Sequence, residues 1–207
     1  MNTKKRTLIS ILAMIIVLTV SAGCLFGCGS SDEGEKDSDK EQSQNADEDE
    51  NDEDDDGDEK SGKSSYSIVV GDLVDAFFKE FDAEKIVNLM PEKAVELTVE
   101  TQFNGNRKKF IEAMQSQLDE VKEAAEEQGY DLSKLEFNIV NVEDVDEAGI
   151  EKMNKNAKEA GFDLKLKEVK NIDIEVTIPS EDGEEETNTL SLKVAKIGNA
   201  WYVIDFK

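Results

Sequence analysis

The sequence predicts an α+β domain over residues 65–207, with helices at its amino end packed on an antiparallel sheet formed by its carboxyl half. Three observations carry this. Apolar residues between Val70 and Ala125 recur at spacings of three and four, those from Leu135 onward mostly alternate with polar ones, and cap or turn residues separate the segments. The change from helical to extended period falls near Gly129.

Taken in order, Val70, Leu73, Val74, Phe77, Phe78 and Phe81 form one helical stripe. Asp82 restarts the chain as the N-cap of a short helix carrying Ile86, Val87, Leu89 and Met90, which Pro91 ends or redirects. The series Ala94, Val95, Leu97 and Val99 fits helix or strand and runs to the break at Asn104-Gly105. Asn106 opens the longest helix, with Phe110, Ile111, Met114, Leu118, Val121 and Ala125 on its core face and Gly129 as its C-cap.

Leu135, Phe137 and Ile139 then alternate as a strand, and a capped stretch from about Asp146 to Ala160 reads as a surface helix ending at Gly161. Phe162, Leu164 and Leu166 alternate, as do Ile172, Ile174, Val176 and Ile178, with a bulge expected between them at Lys170-Asn171. Pro179 to Glu186 reads as a turn, Leu190, Leu192, Val194 and Ile197 as the next strand, and Gly198-Asn199 as a two-residue hairpin leading to a last strand from Trp201 to Phe206. Trp201 and Tyr202 are adjacent, so they face opposite sides. Trp201 is expected in the core and Tyr202 at the surface or lining a cavity.

Upstream of the domain the composition changes twice. Lys4-Lys5-Arg6 precedes an apolar run from Leu8 to Val20 and then a small-residue segment with Cys24 and Cys28, the layout of a secretory signal over residues 1–27. Residues 29–64 contain no apolar side chain larger than Ala46, and residues 32–60 alone hold 17 of the 49 acidic residues. Such a segment has nothing to bury against its ordering entropy, so residues 28–64 read as an acidic, disordered tether. Its 36 residues after Cys28 span about 30 Å on average and at most about 120 Å. Asp52 to Gly57 matches the opening of an EF-hand calcium loop, but Lys63 occupies the twelfth position, where the bidentate glutamate belongs, and no helices flank it. No metal site is read there.

The chain as a whole has 207 residues, 49 acidic against 24 basic, no histidine and a formal net charge of -25. This charge repels phosphate backbones, which argues against a nucleic-acid partner. Without histidine, and with no cysteine after Cys28, the domain has no material for zinc fingers, Ser-His-Asp triads, cysteine nucleophiles or a disulfide scaffold. No phosphate-cradling glycine pattern and no cofactor motif is present.

Two resemblances add to this reading. The segments Ser21-Ala22-Gly23-Cys24 and Leu25-Phe26-Gly27-Cys28 resemble the bacterial lipobox, in which a cysteine after a small residue is diacylated and becomes the new amino terminus. Cys28 has Leu25 at -3 and is followed by Gly-Ser-Ser-Asp, which looks like the start of a Gram-positive lipoprotein tether. Cys28 is therefore the expected lipidation site, with Cys24 as the alternative, and two acyl chains suffice for stable anchoring. That implies a location on the outer face of the cytoplasmic membrane.

Within the domain, Val-Asp-Ala-Phe-Phe-Lys-Glu-Phe-Asp from Val74, Leu-Met-Pro from Leu89 and Lys-Ile-Gly-Asn-Ala-Trp-Tyr-Val-Ile-Asp from Lys196 resemble small bacterial lipoproteins of the nuclear-transport-factor-2-like (cystatin-like, SnoaL-like) superfamily. The usual closing form there is Gly-x-Trp, and this chain has one residue more. The resemblance implies helices on a curved sheet around a conical pocket, used for catalysis by some members and for binding or dimerisation by others.

The expected function is a membrane-anchored, extracytoplasmic binding or interaction module without catalytic residues, acting on a protein, cell-wall or small-molecule ligand. The alternative is a SnoaL-like pocket enzyme of isomerase, cyclase or hydrolase type using a buried carboxylate, for which Asp163, Asp173 and Asp205 are the candidates, each in an alternating strand where polar positions face water. A pocket filled by Phe77, Phe81 and Trp201 counts against the enzyme. An ABC-importer solute receptor generally needs two domains, and one is predicted.

Overall fold

The computed structural model describes residues 65–161, 164–180 and 185–206. The signal segment, Cys24, Cys28, the tether with its Asp52 to Gly57 loop, Phe162, Asp163 and part of the Pro179 to Glu186 turn lie outside the described residues.

Helix α1 (Tyr66–Val74) continues directly into a π-helical turn, Asp75–Glu80. The stripe from Val70 to Phe81 is buried along its whole length. The wide turn ends on Phe81, whose backbone is left-handed at φ 52°, a conformation that costs a non-glycine residue about 1–2 kcal/mol. Gln115, far along the chain, holds this corner from both sides. Its Nε2 donates to the Phe81 carbonyl at 2.8 Å, and its Oε1 accepts from the Ala83 amide at 3.1 Å.

Helix α2 (Ala83–Asn88) starts as expected, with the Asp82 carboxylate accepting from the Lys85 amide at 3.0 Å. The ambiguous series after it is helical: α3 (Glu92–Phe103) follows Pro91, whose extended backbone and free carbonyl start the first turn. Helix α4 (Arg107–Glu127) is capped by Asn106 and buries Phe110, Leu118, Val121 and Ala125. It closes on Gly129 at φ 75°, where the Tyr130 amide donates to Ala125 and the Gly129 amide to Glu126. Both bonds satisfy carbonyls that a helix end leaves open.

The sheet is an antiparallel meander in the order β1-β2-β3-β4, made of β1 (Glu136–Asp144), β2 (Leu166–Pro179), β3 (Glu185–Ile197) and β4 (Ala200–Phe206). Helix α5 (Glu147–Glu159) is inserted between β1 and β2. Its N-cap Asp146 accepts from the Gly149 amide at 2.9 Å, and only Met153 and Ala157 are buried.

The two faces of the sheet are covered at different places. On the inner face, Ile172, Ile174, Val176, Leu190, Leu192, Val194, Trp201 and Phe206 pack against α1, α2 and α4 in the main core. On the outer face, Val169, Ala195, Ile197, Tyr202 and Ile204 form a second cluster under α5, and Ala94 and Leu97 of α3 also reach it. The rest of the outer face is polar.

This division corrects two expectations. Pairing runs unbroken through Lys170↔Val194 and Asn171↔Lys193, so the strand has no bulge at Lys170-Asn171. The apolar alternation breaks there because the covered face changes, from outer at Val169 to inner at Ile172. The register shifts lie between Leu166 and Glu168, between Ile139 and Asn141, and between Lys193 and Val194, where β4 accommodates Ile204 as the extra residue. Tyr202 is also not at the surface. Trp201 and Tyr202 face opposite sides, yet both are buried, because α5 and α3 cover the second face of β4.

Candidate functional site

A catalytic pocket in such an architecture would lie between the helices and the inner face. Phe77, Phe81, Trp201 and Phe206 occupy that space in one buried cluster. The Phe77 ring stands 4.8 Å from Phe78 and 5.8 Å from Phe206, centroid to centroid, and Tyr66 meets Trp201 edge-on at 5.8 Å. Among the described residues Thr98 is the one fully buried polar side chain, and its hydroxyl donates to the Ala94 carbonyl. In the helical layer, Asp75 of the π-helical turn has one buried carboxylate oxygen, 2.8 Å from Lys79 Nζ.

The predicted carboxylates are elsewhere. Asp163 lies outside the described residues. Asp173 and Asp205 both belong to the outer face, on β2 and β4, out of phase with the buried inner residues of their strands. Asp173 is bracketed by its neighbours on either strand: the Ser191 hydroxyl donates to one oxygen at 2.6 Å and the Asn141 amide to the other at 3.1 Å. The Ser191 hydrogen bond first, and the Asn141 bond second, hold the Asp173 carboxyl below its ordinary range. A general base for neutral pH needs the opposite shift. Asp205 Oδ1 accepts from the Phe206 amide and its residue pairs with Lys193.

One end of the main core is closed by cations. Lys170 Nζ lies 5.3 Å from the Tyr66 ring centre and 5.9 Å from that of Trp201, and it is ion-paired with Asp144. Lys196 Nζ lies 6.0 Å from Trp201 and pairs with Glu168 at 2.8 Å. Both charges are matched by carboxylates, so this group seals the rings against water and leaves no uncompensated positive patch.

The feature that sequence reasoning missed is the outer margin of β1. The expected strand stopped at Ile139, but the described strand runs to Asp144, and it carries two of the three exposed large apolar side chains of the described residues, Val140 at 53% and Val142 at 37% exposure. A signal was present. Apolar residues at 137 and 139 and then at 140 and 142 step by two, slip by one and step by two again, which is the pattern of a strand with one inserted residue. Phe137, Ile139 and Val142 stand opposite Val176, Ile174 and Ile172, so all three belong to the inner side of the sheet at its open flank. Phe137 and Ile139 are half-buried against the main core, whereas Val142 has no such cover.

No metal-ligand group of three or more acidic side chains occurs among the described residues, and no helix among them is long and apolar enough to cross a membrane. Comparison with protein-family models, with curated proteins and with solved structures finds no match for this chain.

Proposed function

We propose that this protein is a lipid-anchored, extracytoplasmic interaction module of the nuclear-transport-factor-2-like kind, acting by binding and not by chemistry. The observation that carries the reading is the filling of the space between helices and sheet by Phe77, Phe81, Trp201 and Phe206, with no carboxylate among them. An active site needs a cavity with polar groups converging on it, and here aromatic packing takes that volume. The lipobox-like segment, with Cys28 or Cys24 as the acylated residue, supplies the anchor, and the acidic tether holds the domain away from the head groups.

The test is expression of the full chain in a Gram-positive host with metabolic labelling by a radiolabelled fatty acid, followed by membrane fractionation. Cys28→Ala is expected to lose the label and leave the membrane fraction. Retained label in that variant, lost only when Cys24→Ala is added, moves the anchor to Cys24. No label on the unmodified chain would refute the anchored reading.

A further inference from the structure

The two margins of the sheet are not equally finished, and the difference points to where the module binds. At the β4 margin the Val203 amide donates to the Leu89 carbonyl at 2.8 Å, and α3 reaches round to the far face. At the β1 margin, the described residues provide no such partner. Residues 136–144 pair with β2 on one side only, and none of their backbone groups bonds to another described element on the other side. An edge strand of this kind is a template for a further strand, and proteins ordinarily blunt it with lysine, proline, a bulge or a covering loop. β1 contains neither lysine nor proline, its register shift lies between Ile139 and Asn141, ahead of Val142, Glu143 and Asp144, and it presents Val140 and Val142 to solvent.

We propose that the carboxyl half of β1, Val140 to Asp144, is a docking edge for an extended segment of a partner protein, one that carries alternating apolar residues flanked by lysine or arginine. This rests on the interaction-module reading and gives it a surface and a partner chemistry.

Charge selects the occupant. β1 carries Glu136, Glu143 and Asp144 and no basic residue, and Asp146, the N-cap of α5, and Glu147 follow at once, while the lysines of α5, Lys152, Lys155 and Lys158, come only in its later turns. The lysine nearest in register, Lys170, is committed to Asp144 and to the Tyr66 and Trp201 rings. A second copy of the chain fits poorly. Parallel self-pairing would stack like on like, and opposed like charges destabilise a strand pair. Residues 61–207 also carry 32 acidic against 18 basic side chains, so two domains repel before they meet. A basic segment meets the opposite field, gains main-chain hydrogen bonds along the edge, and covers Val142 with an apolar side chain on the inner side. The register shift at Val140 confines good pairing to the residues after it.

The experiment uses the full lipoprotein in detergent micelles and a synthetic probe, Lys-Lys-Val-Thr-Val-Thr-Val-Lys-Lys, with hydrogen-exchange mass spectrometry as the site-resolved readout. The site-resolved readout is needed because the tether, with its 17 acids between residues 32 and 60, will also attract a basic peptide. The expected result is slowed exchange in the segment containing residues 140–144. Val142→Lys should weaken this protection at least about tenfold, as should added salt, and the probe with glutamate in place of lysine should not protect.

Peptide bound with unchanged exchange in β1 would be condensation on the tether only, and would overturn the proposal. So would equal protection in Val142→Lys, or protection that rises with protein concentration without peptide, which would mean a second copy. Thermal unfolding of Val142→Lys checks that its fold is intact, with Val140→Lys as the second variant. The anchored-module reading fails separately, by absence of fatty-acid label, and a silent β1 edge leaves that result untouched.

Discussion

β1 and β4 are the two outer strands of one antiparallel meander, and the fold treats them differently. β4 is buried on both faces, Trp201, Val203 and Phe206 in the main core and Tyr202 and Ile204 in the second cluster, and Leu89 bonds to its free margin. β1 is covered on part of one face, has an exposed and polar outer face, and ends in exposed valines and acids. The difference comes from chain order. The helices precede the sheet, so the α2 and α3 segment can fold round β4, while α5, which leaves from the end of β1, packs across the β2–β4 end of the outer face instead. A strand closed on three sides stabilises the fold, and a strand left open on its margin is where another chain can join.

Five substitutions and one change of pH grade this contrast. The largest effect is expected at β4: Trp201→Ala removes a buried ring from the main core and should cost about 3–5 kcal/mol, read as a fall in the unfolding midpoint in urea. A cost below about 1 kcal/mol would show that β4 does not carry the core.

Next is the corner that places α2 beside β4. Gln115→Ala deprives both the Phe81 carbonyl and the Ala83 amide of their partner, with a loss of about 1–3 kcal/mol expected. Exchange of the Val203 amide should quicken with it, because Leu89, at the end of α2, is its acceptor. Asp146→Ala removes the N-cap of α5 and should cost about 1 kcal/mol, confined by hydrogen exchange to α5 and the second cluster.

At the β1 side the effects are smaller. Asp173 ties Asn141 of β1 to β2, and Ser191 of β3 to the same carboxylate. Its folded-state pKa is depressed, so the stabilisation is fully present above the unfolded value of about 3.9 and is lost as pH falls below that through the folded value. Asp173→Asn should abolish this part of the acid dependence in denaturation curves taken below pH 4, with little change in slope at neutral pH. Val142→Lys is the smallest, within about 0.5 kcal/mol of the unsubstituted chain, since the position is exposed. A large loss there would mean that the β1 margin is structural after all.

Much of this architecture was legible from single residues. Asp82, Asn106, Asp146 and Gly129 act at the helix ends where their side chains or conformational freedom placed them. The meander, its helical insertion and the Gly198-Asn199 turn follow from period and turn chemistry, as Ile197 pairing with Ala200 shows. The left-handed Phe81 was not legible, because a phenylalanine there has no local reason to adopt it and its support comes from Gln115. Asp173 could be placed on a polar face, but Asn141 and Ser191 meet it only through strand register. The burial of Tyr202 depended on α5 crossing back over the outer face.

The fold class, the order of helices and strands and the positions of most caps follow from local sequence, since each of these is set by side chains within one turn or one hairpin. Tertiary structure alone decided which face of each strand is covered, which rings fill the centre and which margin stays open. Those depend on contacts between segments distant along the chain, and a strand's own alternation is the same whether its neighbour is another strand, a helix or water.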